Sequence, residues 1–204
     1  MDIGDWAAVW AVGFGGLTVL SYFLSRGRSK DHLRAAADWA RARGFGFREG
    51  AGNRGWVYEL RRGANAGVRF QADGVVGGYP FTLAYVDHSY GDADSGGRVE
   101  LTVVVLHLRN AYAATEVEQR RGRRKDAVGH AGFDRRFRVR TEVAAGPGVV
   151  VSPALADAMV AGDLPTWSVR ERELVCFVEG RQEAVLFDRD LERAVRVAGL
   201  LGVR

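Results

Sequence analysis

Cysteine is nearly absent from the 204-residue sequence, with Cys176 its single occurrence. No disulfide framework and no four-cysteine zinc site can therefore exist within one chain. Lysine is almost as scarce: Lys30 and Lys125 are the only two, so the formal net charge of +4 rests on arginine. The chain is also heavy in alanine, glycine and valine, the bias of a GC-rich coding sequence. Much of the basic excess follows from that bias, and nucleic acid is disfavoured as a partner. The usual chemical signatures are missing too. Gly13-x-Gly15-Gly16 and Gly74 to Gly78 have no Lys-Ser or Lys-Thr after them, and neither a G-x-S-x-G elbow nor an H-E-x-x-H helix occurs. What remains is 47% apolar and 26% charged, a globular profile that excludes disordered, collagen-like and coiled-coil classes.

One further absence is local. Trp6 to Leu24 contains no charged side chain, and at helical rise it reaches about 28 Å, close to the hydrocarbon thickness of a bilayer. A buried core helix would show polar residues at 3.6 spacing, whereas Thr18, Ser21 and Tyr22 cluster at one end. A signal peptide would begin with basic residues and end in a small-residue cleavage site, whereas Asp2 and Asp5 open this chain. The stretch reads as a transmembrane helix, and residues 1–28 as an N-terminal anchor. Arg26, Arg28, Lys30 and Arg34 follow it and no basic residue precedes it, which puts the N-terminus outside and residues 29–204 in the cytoplasm. Ala7, Ala11 and Gly15 recur every four residues, a small-residue face on which two such helices would pack as a homodimer.

The soluble part has an α+β pattern. Asp31 to Arg43 carries the stripe Leu33, Ala36, Ala37, Ala40 before Gly44, which predicts an amphipathic helix. Alternating residues at Phe45 to Phe47, Trp56 to Leu60 and Val68 to Phe70 predict short strands. A long hairpin is expected from Pro80 to His88 and Val99 to Leu108, its tip made of Tyr90 to Gly97. In its second strand both faces are apolar, as in a central strand. The mostly polar Asn110 to Gly132 reads as a surface loop, followed by a strand from Phe133 to Val143. Ser152-Pro153 is an N-cap and N1 pair for a helix closed by Gly162. Trp167 to Glu179 reads as a second hairpin turning at Glu171-Arg172-Glu173, and Asp188 opens a last helix. The expected architecture is an antiparallel sheet carrying three helices, with no βαβ alternation and no nucleotide-binding doubly wound fold.

Three segments carry a family likeness: Tyr79-Pro80-Phe81-Thr82-Leu83-Ala84-Tyr85, Phe133-Asp134-Arg135-Arg136-Phe137-Arg138-Val139, and Val151-Ser152-Pro153-Ala154-Leu155. Together, over most of residues 35 to 200, the chain resembles actinobacterial single-pass membrane-anchored proteins of unknown function. The resemblance implies a membrane location, and it carries over no catalytic residue and no cofactor.

Candidate chemistry is sparse. His88 beside Asp87, near Asp92 and Asp94, has the composition of a metal or acid–base cluster but reads as a solvated hairpin tip, where Asp, Gly and Ser form turns, and the spacing lacks the rest of a calcium loop. His107 sits in a strand apolar on both faces and reads as a core histidine. Cys176 lies in the apolar run Leu174 to Val178 and reads as a small buried hydrophobe. His32 and His130 have no partner at ligand spacing. No catalytic, cofactor-binding or metal-ligating residue is assigned. The most suggestive polar feature is Arg120, Arg121, Arg123, Arg124 and Lys125. It is either a solvated loop or, on a domain held beside a membrane, a contact for anionic lipid headgroups. The expectation is a non-catalytic, membrane-tethered scaffold or sensor acting through protein contacts. The alternative is a membrane-bound enzyme with a pocket near His88, His107 or Cys176.

Overall fold

Residues 30–50, 64–90, 97–120, 127–141, 150–180 and 183–203 are described by the structure, a computed structural model. The Trp6 to Leu24 stretch with Ala7, Ala11 and Gly15, the expected strand at Trp56 to Leu60, the tip residues Asp92 and Asp94, and Arg121, Arg123, Arg124 and Lys125 lie outside the described residues. Among the described residues no helix is long and apolar enough to cross a membrane.

Helix α1 (30–42) ends at Gly44, whose positive φ of 69° lets the chain reverse into strand β1 (Gly46–Glu49). Then follow β2 (Ala64–Val76), β3 (Tyr79–Tyr90), β4 (Gly97–Gln119), helix α2 (Ala131–Arg136), β5 (Phe137–Thr141), helix α3 (Pro153–Ala161), β6 (Thr166–Glu179), a 3₁₀ turn at Ala184–Leu186 and helix α4 (Phe187–Leu201). Every strand pairing is antiparallel, as the sequence pattern requires. β1, β2, β3 and β4 pair in order. β6 runs along the other edge of β4, and β5 joins the far end of β4 on the same edge as β3.

Three expectations are corrected. Asn110 to Gln119 is not loop but the second half of β4. There Ala113, Thr115 and Val117 are buried while Glu116 and Glu118 lie opposite Arg140 and Arg138 of β5. This is period-two alternation built from small and charged residues, which reads as polar chain. Trp167 to Glu179 is not a hairpin but one strand. Glu171, with φ 50°, sits at a bulge opposite Tyr112, and the charged trio that resembles a turn is the place where β6 bends with β4. Phe133 to Arg136 is not strand but helix α2, whose N-cap is His130: its Nδ1 accepts from the Phe133 N–H at 3.1 Å.

The sheet has two unequal faces. Phe70, Phe81, Leu83, Val104, Leu106 and Cys176 point to the helices and form the main core with Trp39 of α1, Leu155 and Met159 of α3, and Phe187 and Leu191 of α4. Ala84, Val86, Val103, Val105 and Val175 form a second cluster on the other face. β4 is thus buried on both sides, as a central strand should be. The α3 boundaries follow the sequence signals. Ser152 Oγ accepts from the Leu155 N–H at 3.2 Å, Pro153 opens the first turn, and Gly162 closes it at φ 83°. Helices α1 and α4 are tied together by Asp188, which accepts from Trp39 Nε1 at 3.1 Å and from Arg43 through both carboxylate oxygens.

Candidate functional site

The end of β4 leads into a cleft of about 540 Å³ that also borders α2, the end of α3, both ends of β6, and α4. Among the described residues Arg120, Arg135, Arg136 and Arg193 line it, against one carboxylate, Glu179. Phe137, Met159, Leu164 and Phe177 supply its apolar wall. Its volume falls in the roughly 300 to 1,000 Å³ range of organic-ligand pockets.

Arg120 is the distinctive member. Its Nε donates to the Phe137 carbonyl at 3.2 Å and its backbone N–H to the Arg136 carbonyl at 2.8 Å, so α2 and β5 hold both its main chain and its side chain. Its Nη1 and Nη2 are buried and have no hydrogen-bond partner among the described residues. Glu118, two residues earlier on the strand, is engaged elsewhere. Arg138 Nη2 lies 2.8 Å from its Oε2, and Arg140 Nε lies 3.1 Å from its Oε1, near enough for charge attraction but off the hydrogen-bonding direction. Arg136 Nη1 donates to the Val160 carbonyl at 2.7 Å, bracing α2 against α3.

Arg193 reaches the cleft from α4, and its Nη1 is 4.0 Å from Asp190 Oδ1. Asp190 is itself fully buried. Arg189 approaches the same oxygen at 3.4 Å, and Oδ2 has no partner. Burial pushes the Asp190 carboxyl above the ordinary carboxylate range, and Arg189 and Arg193 pull only partly the other way. A folded-state pKa above the unfolded one means that the native state binds the proton more tightly. Stability therefore falls as pH rises from the unfolded value near 3.8 through the folded one. Asp190→Asn is expected to raise the urea midpoint at pH 7, with the gain vanishing as pH drops to about 4. A midpoint that is unchanged at pH 7, or a gain independent of pH, would show that the buried charge is compensated.

No family model matches the chain, and no curated protein does. Among solved structures it is similar to the crystal structure of the mycobacterial trehalose monomycolate transport factor A, TtfA. The TM-score is 0.54 at 11% identity, over 83% of this chain and 93% of that one. At that identity the likeness is one of fold.

The residues singled out for chemistry are held apart. His88 pairs with Val99 in the β3–β4 ladder, and His107 is eight residues further along β4, about 27 Å at ordinary strand rise. Cys176 lies opposite Val104 and points into the main core, while His107 is on the other face with Val103 and Val105. Burial pushes the Cys176 thiol well above its usual range, so it stays protonated and inert. His107 is not a fully buried core residue: its side chain is one-third exposed, 33%. The Thr82 hydroxyl donates to Asp73 at 2.6 Å, so His107 Nε2 is the donor to Thr82 Oγ1 across 3.3 Å, with Glu173 3.8 Å from Nδ1. The row continues through Arg48, 2.6 Å from Asp73, and joins β1, β2, β3, β4 and β6 by side chains. The sequence also missed His130, whose Nε2 is 2.9 Å from Asp157. Of the predicted lipid-contact set, Arg120 alone is described, and it lines the cleft. Among the described residues no three His, Cys, Asp or Glu side chains are grouped as metal ligands.

Proposed function

We propose that this chain is a membrane-tethered, non-catalytic binding module. In this reading Trp6 to Leu24 crosses the bilayer with its N-terminus outside and pairs through the Ala7, Ala11, Gly15 face. The α+β domain then works at the cytoplasmic surface as a scaffold or sensor. The observation that carries the binding role is the cleft. Among the described lining residues four arginines face one carboxylate, with no histidine or cysteine, an arrangement suited to holding an anionic group rather than to moving protons. Among the described residues His107 and Cys176 lie on opposite faces of the sheet and neither lines the cleft, so the binding reading does not draw on them. The fold likeness to a transport factor supports a role in holding or passing on a molecule, and the resemblance to actinobacterial membrane-anchored proteins supports the location.

Cell fractionation tests the tether. The full chain is expected to pellet with membranes, to resist salt and alkaline washes, and to dissolve only in detergent, whereas a chain lacking residues 1–28 should stay in the supernatant. A reporter fused after Arg204 that fluoresces only in the cytoplasm should be bright. A washed-off full chain would remove the anchor, and a dark fusion would reverse the orientation.

A further inference from the structure

We infer that the arginine-lined cleft is a site for a phosphate monoester carrying an apolar tail, with Arg120 as its principal donor. The inference rests on the reading of the chain as a binding module and is independent of whether residues 6–24 cross a membrane.

Three observations lead there. Arg120 carries a full charge whose outer nitrogens are out of contact with water and without a partner among the described residues, a placement that costs free energy unless an anion meets it. The carboxylate nearest along its own strand, Glu118, belongs to Arg138 and Arg140. With Nε fixed on the Phe137 carbonyl, the two remaining nitrogens form a fork that matches two oxygens of one oxyanion. The second observation is the charge count around the fork. Arg135, Arg136 and Arg193 share the cleft with Glu179, the one carboxylate among the described residues that line it. That surplus suits a phosphate monoester, which carries about −1.5 to −2 at neutral pH, better than a carboxylate with −1. The third is size and lining. The cleft of about 540 Å³ is far larger than one phosphate group, and Phe137, Met159, Leu164 and Phe177 make the rest of its wall. An alkyl or acyl chain attached to the phosphate would cover them. Because the Arg120 Nη atoms are buried, binding calls for the exposed side chain of the neighbouring Gln119 to turn aside, a rotamer change of a kind common at binding surfaces.

The phosphate could belong to a lipid headgroup or to a free ion, and two probes separate these sources. The full chain, purified in a nonionic detergent, is titrated calorimetrically with dihexanoyl phosphatidic acid and with inorganic phosphate, using dihexanoyl phosphatidylcholine as the zwitterionic control. Saturable binding of the phosphatidic acid, at least tenfold tighter than inorganic phosphate and absent for phosphatidylcholine, is the expected result. Arg120→Gln should weaken it at least tenfold and Arg193→Gln about threefold, while Arg34→Gln, on α1 and outside the cleft, should leave it within twofold. Unliganded Arg120→Gln should unfold at no lower temperature than the unsubstituted chain, since the substitution removes an unpaired buried charge. That separates lost binding from lost folding, and a stable Arg193→Gln gives the same reading if Arg120→Gln fails to fold. Equal affinity for phosphatidic acid and inorganic phosphate overturns the apolar tail. Equal binding by Arg120→Gln, or no saturable binding of either anion, overturns the site. None of these outcomes bears on fractionation, so failure here and failure of the tether are told apart.

Discussion

Replacing Phe187 by alanine is expected to lower the unfolding free energy by about 3 to 5 kcal/mol, the range for deleting a fully buried aromatic ring. Phe187 opens α4 and is completely buried. Its ring stands edge-on to Trp39 of α1 at 5.1 Å, lies 6.1 Å from Phe70 of β2 and 6.2 Å from His32. One side chain thus joins the first helix, the last helix and the sheet, at the centre of a core that Trp39, Leu191 and Ala194 extend on either side. The Asp188 link to Arg43 is partly exposed, with side-chain exposures of 41% and 38%, and pairs of that kind contribute about 0 to 1 kcal/mol. Since a domain of this kind is stable by roughly 5 to 15 kcal/mol in total, the variant should unfold at markedly lower urea concentration and lose the near-ultraviolet signal of Trp39. A loss under about 1 kcal/mol would mean that the ring cluster contributes little to docking α1.

Where local chemistry decides, the sequence was readable. Ser152-Pro153 and Gly162 mark α3 because caps and φ preferences are properties of single residues. The β3–β4 hairpin shows itself because two long, mostly apolar runs flank a polar, glycine-rich tip. The pattern fails at the bulges. Arg109, Asn110 and Ala111 are exposed where β4 and β6 shift register, and they interrupt the apolar rhythm just before Ala113, Thr115 and Val117 resume it with small side chains. Glu171 to Glu173 has turn-like composition yet continues a strand, because two long paired strands bend together there. Helix α2 contains Gly132 and is six residues long, too short for periodicity to register. The cleft was half legible. Arg120 belongs to a visible basic run, but its burial comes from α2 and β5 closing over the end of β4, and Arg193 arrives from 73 positions away. Proximity of that kind is tertiary and leaves no local trace.

Val12→Arg is expected to release a large fraction of the full chain from the membrane fraction. Trp6 to Leu24 contains three Leu, three Val and two Phe, each favouring insertion by about 0.3 to 0.6 kcal/mol at mid-span. The remaining Ala, Gly, Ser, Thr, Tyr and Trp add little. The whole advantage is therefore a few kcal/mol, of the same size as the roughly 2.5 to 3.5 kcal/mol cost of one arginine at the centre of a helix, and Val12 lies near the middle of the stretch. A Leu-rich span would absorb such a charge, whereas this one, diluted by Ala7, Ala8, Ala11, Gly13, Gly15 and Gly16, would not. Val12→Leu, which adds apolar area, serves as the matched control and should pellet like the unsubstituted chain. Alkaline extraction followed by immunodetection distinguishes the outcomes. A Val12→Arg chain that still resists extraction would mean that something other than insertion of this stretch holds the protein at the membrane.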